Sequence, residues 1–588
     1  MRTTQREGLY SKLVSLINDA NRTVRSFSAS GRVLFIFFSG LLVLSAVGLL
    51  YILNASLLVT VPAHGGSLTE GIIGAPRFIN PVLAISDSDR DLTALVYSGL
   101  LRARPEGGYI PDLAENYTIS PDGKTYTVVL RKNAIFQDGT PVTADDVVFT
   151  IAKTQDAVLK SPERADWSGV TVQKVDANTL TFTLSQAYAP FIDNLTLGIL
   201  PEHLWQDVSD DEMSYSTLNN KPVGSGPFAV TGVTYTASGV PASYELSAFS
   251  HYTLGQPYLD HITLRLYQKE DAVVTALKSG EIESASGISP ESLATFDGHA
   301  VDRSPLNRVF GVFFNQNQSE VLRDATVRDA LNSAINRDDL VAKVLGGYGV
   351  PLTGPIPPDV LPNIHSGATA TSSTDALALK ARETLINAGW QAGPGGYLQK
   401  TTGSGKSTKT TTLAFSLATG DVPELRAAAE YVRAAWQKAG ADVTVQVYNQ
   451  GDLSQNVIRP RKYDALLFGE VLGRELDLFA FWDSSQRIDP GLNIALYANA
   501  AADKTLEQLR QTSDDGTRAT LFAQFTADVT ADTPAVFLYA PDFVYSVPND
   551  LAGVTLGRIE TPSDRFLSAY HWYRETDHVW PFFEQKQQ

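Results

Sequence analysis

The chain of 588 residues contains no cysteine. That absence excludes disulfides, a thiolate nucleophile, zinc fingers, iron–sulfur ligation and a lipid anchor attached through a cysteine thioether. Histidine is scarce too: eight residues, His64, His203, His251, His261, His299, His365, His571 and His578, lie scattered along the chain. No HExxH pair, GxSxG elbow or paired His/carboxylate cluster occurs, so the sequence offers no catalytic constellation, no metal ligand set and no cofactor motif. Positive charge is in deficit, with 47 Lys and Arg against 64 Asp and Glu, a net of −17. An acidic chain repels phosphate backbones, which weighs against nucleic acid as a partner. What remains is an ordinary globular composition, 43% hydrophobic and 19% charged, with material for several domain-sized units.

The charge is unevenly spread. Residues 1–32 carry Arg2, Arg6, Lys12, Arg22, Arg25 and Arg32 against Glu7 and Asp19, a net of +4, so the remainder is more acidic than the whole. Residues 33–53, VLFIFFSGLLVLSAVGLLYIL, hold no charge in 21 positions. At about 1.5 Å per residue this run spans roughly 30 Å, the thickness of a bilayer core. A cleavable signal peptide is the competing reading, yet the basic leader is long for one and the apolar run exceeds the usual length of roughly 7–15 residues. With the cations before the span, the positive-inside rule places the N-terminus in the cytoplasm and the acidic bulk outside. Leu9, Leu13, Leu16, Ile17, Ala20 and Val24 recur at helical spacing, which suggests an amphipathic helix along the inner surface. The expectation is a single-pass membrane protein with a cytoplasmic leader 1–32, a span 33–53, a tether 54–66 and an extracytoplasmic remainder.

Beyond the tether, strand and helix patterns alternate without an internal repeat. The segment Gln399 to Thr412, QKTTGSGKSTKTTT, contains GSGKS and invites a phosphate-loop reading. Position 400 is Lys where that motif needs Gly, and TTLAFSL follows with strand rather than helix periodicity. Without a helix N-terminus no row of free N–H groups faces a phosphate, so a polar β-hairpin fits better. From Ile110 to Thr150 local chemistry is explicit: the Ser120-Pro121-Asp122-Gly123 turn joins Tyr117–Ile119 to the alternating strand Thr125–Leu130. Thr143 and Asp146 form a capping-box pattern, flanked by Val142 and Val147 as a hydrophobic staple. The adjacent carboxylates Asp145-Asp146 do not make a catalytic pair, since neighbours on a helix point about 100° apart.

This same stretch, IPDLAENYTISPDGKTYTVVLRKNAIFQDGTPVTADDVVFT, closely resembles the signature of extracytoplasmic solute-binding proteins of family 5, the oligopeptide/dipeptide-binding components of ABC importers. The resemblance continues in order through Asn80-Pro81 with RDLTALVYSGLLR (90–102), TLTFTLSQAYAPF (179–191), GSGPF (224–228) and TALKSGEIE (275–283). It extends to RDATVRDALNSAINRDDLVAKVLGGYG (323–349), ALKARETLINAGW (378–390) and FWDSSQ (481–486). The 33–53 span departs from the family, whose members are more often secreted or lipid-anchored.

The resemblance implies an α/β fold, a two-lobed periplasmic-binding-protein-like clamp of the large type with an extra subdomain. The first lobe would comprise 67–104, 222–318 and 535–588, with 105–221 as its subdomain. The second lobe would comprise 319–534, with a helix at Val422–Gly440 and strands at Val443–Val447 and Tyr463–Phe468. Hinge crossings are then expected near 318 and 535. It further implies a monomeric, non-enzymatic receptor that takes a peptide or peptide-like ligand between its lobes and delivers it to the permease subunits of an ABC importer. Matching positions put the ligand against Ala84, Ile85, Ser86 and Asp87, the Ser286-Gly287 turn and the segment Gly469, Glu470, Val471, Leu472 and Gly473. Trp482 and Tyr539 are candidate aromatic walls, although such rings bury large apolar area wherever they fall. In the best-known oligopeptide binders an aspartate at the position of Gly473 holds the ligand's ammonium group, and a tryptophan stands where Glu470 is here. Either Glu470 takes over the ammonium or the ligand has no free amine there. Nickel chelates, haem, oligosaccharides and opines are also carried by the family, and a sensory or scaffold role, or an external enzyme acting on similar substrates, are the alternatives outside transport.

Overall fold

The computed structural model describes residues 19, 22–293, 300–357, 372–404 and 407–581. Leu9, Leu13, Leu16, Ile17 and Ala20 of the expected leader helix lie outside them. The described chain forms two units: a small one from the segments up to Ala63 and from Glu575 onward, and a large one, His64–Arg574.

In the small unit an α-helix runs from Ala29 to Leu57, and Ser28 caps it by accepting the Gly31 N–H at 3.3 Å. At 29 residues it is about 44 Å long, and the apolar stretch Ala29–Asn54 within it is long enough to cross a bilayer. The expected tether 54–66 is not a free linker. The helix consumes its beginning, and Val59–Pro62 then pairs antiparallel with Thr576–Val579, Val59 opposite Val579 and Pro62 opposite Thr576.

The large unit is built on one twelve-stranded mixed sheet. At one end stand Phe228–Tyr235, Pro241–Ala248, His261–Tyr267, Ser67–Ile73 and Ser284–Ser286; at the other stand Arg308–Phe314, Ala465–Val471, Ala414–Gly420 and Asp442–Tyr448. The 13-residue strand Ala535–Val547 belongs to both. Its first half pairs with Phe310–Phe313, and its second half, Asp542–Val547, pairs with Ala300–Pro305. The chain therefore passes between two lobes twice, at Leu306–Asn307 and at Pro541. The crossings lie outside the expected second lobe 319–534, because Arg308–Phe314 already pairs with the second-lobe strand Ala465–Val471 and Ala535–Tyr539 stays paired to it.

Each lobe carries its own core. The second packs apolar side chains on both faces of its sheet, one face around Trp436 and the other around Trp482. Its helix Pro423–Ala439 shows why the sequence was readable. Pro423 opens it, Gly440 closes it at φ 103°, and Leu425, Ala428, Ala429, Val432 and Trp436 form a buried stripe at helical spacing. The first lobe packs Leu68, Leu264, Phe566 and Trp572 together and carries the subdomain, a four-stranded antiparallel sheet of Ala114–Ile119, Thr125–Leu130, Thr179–Leu184 and Val170–Lys174. Against that sheet lies the helix Ala144–Gln155 with its capping box as read: Asp146 Oδ2 accepts the Thr143 N–H at 2.8 Å, and Val142 and Val147 are both buried. Leu398–Thr402 and Lys409–Thr412 pair as the expected hairpin, whose tip residues 405–406 lie outside the described residues.

Candidate functional site

Strand direction locates the site. In the first lobe Ser67–Ile73, His261–Tyr267 and Ser284–Ser286 are parallel, and Ser284–Ser286 runs toward the crossing, with Ala285 opposite Ser546 and Ser286 opposite Tyr545. In the second lobe Ala414–Gly420, Asp442–Tyr448 and Ala465–Val471 are parallel, and Val471 stands opposite Arg308 beside the other crossing. The carboxyl ends of both sets thus point at the hinge from opposite sides. Such ends are where open α/β sheets place ligands, because the loops that follow them are free to diverge.

Three expected segments lie at these ends. The first is the loop after Ile73, shaped by Asp89, which is not among the expected site residues. Its Oδ1 accepts the N–H groups of Arg77 (2.6 Å) and Phe78 (2.8 Å), and its Oδ2 those of Ser86 (3.0 Å) and Ile85 (3.2 Å). Ser86 in turn caps the helix Asp87–Val96. One buried carboxylate so gathers four main-chain donors and fixes the stretch Ala84–Asp87, in which Ala84 is buried and the apolar Ile85 is 62% exposed. The Ser86–Asp89 spacing is a capping box, a signal present in the sequence. The second segment is Ser286-Gly287, where Gly287 turns at φ 73°.

The third is Gly469–Gly473. Gly469 is small for a packing reason, since a Cβ there would meet the Phe310 ring at 2.6 Å, and Phe310 stacks on Tyr539 with centroids 5.1 Å apart. Glu470 points into the second-lobe interior and is 2% exposed; neither carboxyl oxygen has a hydrogen-bond partner. The Trp482 indole N–H is its polar neighbour but lies outside hydrogen-bond geometry. Burial pushes the Glu470 carboxyl well above the usual carboxylate range. Val471 is half exposed, Leu472 is buried with its N–H on Asn307 O at 2.8 Å, and Gly473 O accepts the Leu476 N–H. The two candidate walls do not reach a surface: Trp482 packs against Phe313, Tyr497, Phe525 and Phe537, and Tyr539 lies in the opposite core. Both rings fill layers of the lobe, which accounts for their presence without a ligand.

The loop from Leu472 to Leu478 also carries the contacts between the lobes, which join residues far apart in the chain and leave no local pattern. Arg474 Nη2 meets Asp564 Oδ2 at 2.9 Å and Glu560 Oε2 at 3.8 Å. Tyr109 of the subdomain reaches Glu475 Oε1 at 2.8 Å, and Tyr188 reaches Asp477 Oδ2 at 2.9 Å. Arg510 pairs with Asp477 at 3.2 Å, lies over the Tyr188 ring, and offers its carbonyl to the Ala189 N–H at 2.8 Å. The two lobes are therefore in contact, as a closed clamp is. Among the described residues no cluster of His, Asp or Glu has the makings of a metal site. A separate groove lined by Asn315, Arg459, Arg461 and Arg487 sits at the other ends of the second-lobe strands, away from the hinge.

The model of the family described as bacterial extracellular solute-binding proteins, family 5 middle, matches residues 108–484. The chain is 28% identical over 510 residues to the oligopeptide-binding protein AppA of Bacillus subtilis, covering 84% of this chain and 89% of that protein. It is 25% identical over 502 residues to the probable D,D-dipeptide-binding periplasmic protein DdpA of Escherichia coli, covering 83% and 90%. Among solved structures it resembles AppA of Bacillus subtilis in complex with a nonapeptide, with a TM-score of 0.64, 26% identity, and 87% of this chain and 99% of that one covered. It also resembles the ABC transporter substrate-binding protein CtaP of Listeria monocytogenes, with a TM-score of 0.71, 25% identity, and coverage of 87% and 100%.

Proposed function

The chain belongs to the bacterial extracellular solute-binding proteins of family 5, and from that premise we propose that it is a membrane-tethered receptor that closes on peptides outside the cell and delivers them to the permease of an ABC importer, without turning them over. The observation that carries this reading is the convergence of parallel-strand ends from both lobes on one hinge, with the lobes in contact beside it. A solute bound there touches both lobes only when they close, and it shifts the population toward the closed form by its differential affinity. The relatives whose names specify oligopeptides and dipeptides support the ligand class.

Peptide backbone recognition suits the site. Extended segments with free main-chain groups bind a peptide through its backbone and leave side-chain pockets tolerant. We assign this role to the main-chain groups of Ala84–Asp87, Ser286-Gly287 and Gly469–Gly473 that Asp89 and Asn307 do not already engage, with the exposed Ile85 and Val471 as apolar contacts. Trp482 and Tyr539 support these segments from behind. The membrane tether is the helix Ala29–Leu57, with the basic leader in the cytoplasm.

The test is calorimetry and thermal shift of the full-length chain with a mixed library of short peptides. Binding heat and a raised melting temperature are the expected results. Absence of both removes the peptide assignment.

A further inference from the structure

Tyr109 Oη stands 3.0 Å from Asp193 Oδ1 and 2.8 Å from Glu475 Oε1. A phenol carries one proton and satisfies one of these oxygens by donating to it. The other carboxylate faces the phenol oxygen lone pair to lone pair unless it carries a proton of its own. Tyr109 and Asp193 both belong to the first-lobe subdomain, whereas Glu475 comes from the second-lobe loop. The missing proton therefore belongs to the contact between the lobes.

We propose that closing the clamp takes up one proton at Tyr109, shared between Asp193 and Glu475, so that solute capture is favoured by acidity. This rests on the reading of the chain as a clamp that opens and closes.

The surroundings favour the proton. Arg518 reaches Glu475 Oε2 at 3.4 Å from its own lobe, so it accompanies Glu475 in both states. Arg474 and Arg558 face Glu475, and the Arg474 guanidinium is already committed to Asp564 and Glu560. Asp193 meets Arg474 but also the negative charge of Asp564, and it faces Glu560, Glu163 and Asp166. Tyr126 stands beyond and brings no positive charge. Carboxylates thus outnumber guanidinium groups in a half-buried contact, where an uncompensated charge is costly.

Burial, first among the causes, raises both Asp193 and Glu475, and it pushes Glu560 up to about 8. The sign follows. A carboxyl raised by closure stabilises the closed form fully below its open-state value, about 4 for an exposed group. That stabilisation is lost as pH rises through the raised closed-state values of Asp193 and Glu475.

The cysteine-free chain makes the test direct. Lys132→Cys on the subdomain and Lys504→Cys on the second-lobe helix Ala500–Gln511 fall at exposed positions that take no part in the contacts described. Spin labels on the full-length protein in nanodiscs, without ligand, report the distance between lobes by pulsed electron resonance from pH 5 to 9. The ratio of closed to open should fall with rising pH, approaching tenfold per unit where one proton is exchanged. Glu475→Gln and Asp193→Asn should each flatten this slope, and either suffices should the other fail to fold. A ratio that does not move with pH, or an undiminished slope in the substituted proteins, overturns the proposal. Because no ligand is used, the outcome is independent of the peptide assignment.

Discussion

Arg565 grips Asp91 through two nearly parallel bonds, Nη1 to Oδ1 at 2.6 Å and Nη2 to Oδ2 at 2.8 Å. Its Nε donates to Glu70 Oε1 at 2.8 Å, and Tyr545 Oη donates to the other Glu70 oxygen at 2.6 Å. Glu70 lies on the strand Ser67–Ile73, Asp91 on the helix that follows the site loop, and Arg565 in the segment Pro562–His571. All three are buried. The network ties the last part of the first lobe to the strand and helix that flank the loop 74–86.

Arg565→Met should therefore cost about 3–5 kcal/mol, because it leaves two buried carboxylates without their cation. Urea titration measures the loss. A cost below about 1 kcal/mol would show the network to be dispensable.

Glu470 gives a prediction with a sign. Its carboxyl is raised by burial, so the folded chain holds the proton where the unfolded chain has released it. The penalty is absent below about pH 4 and grows as pH rises toward the folded-state value. Glu470→Gln escapes it, and should be the more stable protein at pH 7 and equal to the parent near pH 4. Melting temperatures across that range decide the matter.

Glu470 as an ammonium clamp is tested separately, by binding free and N-acetylated peptides to both proteins. If Glu470 meets the ligand, acetylation and the substitution should each weaken binding by about 1–3 kcal/mol and should not add. Equal affinity in all four combinations removes Glu470 from the site.

Asp89→Ala removes the acceptor for four main-chain N–H groups of the site loop. Amide exchange at Phe78, Ile85 and Ser86 should quicken, with about 1–3 kcal/mol of local protection lost. Affinity for peptide should fall in the same protein. Unchanged exchange would place the loop's rigidity elsewhere.

Protease added to spheroplasts should remove the large unit and leave a small N-terminal fragment in the membrane. Recovery of a soluble mature chain beginning near residue 55–65 would instead identify the apolar helix as a cleaved signal.

Elements specified by their own neighbours were legible in the sequence. The helices Ala144–Gln155 and Pro423–Ala439 announce their caps and their apolar stripes, and the hairpin at Leu398–Thr412 announces its polar tip. The strand expected at Tyr463–Phe468 runs from Ala465 to Val471, because Tyr463 serves elsewhere: it is buried and donates its hydroxyl to Ile494 O. The resemblance of ordered blocks carried the two-lobed fold. What no local pattern could reveal is pairing across hundreds of residues. Tyr109 with Glu475 and Glu70 with Arg565 are ordinary surface-type residues until the fold brings them together. The burial of Glu470 was hidden for the same reason, since a charged residue at the end of a strand reads as exposed.

The pairing of Val59–Pro62 with Thr576–Val579 has a bearing on biogenesis. The first of these strands directly follows the apolar helix, and the whole large unit, His64–Arg574, separates it from its partner. The clasp can form only once that intervening unit has been synthesised, so its closure reports that the chain has been made through the second strand. A chain stalled or truncated before Thr576 leaves an unpaired strand edge next to that helix, the kind of exposed edge that invites pairing with other chains. Proteases would meet that edge in molecules that stop short of the second strand and find it covered in those that contain it.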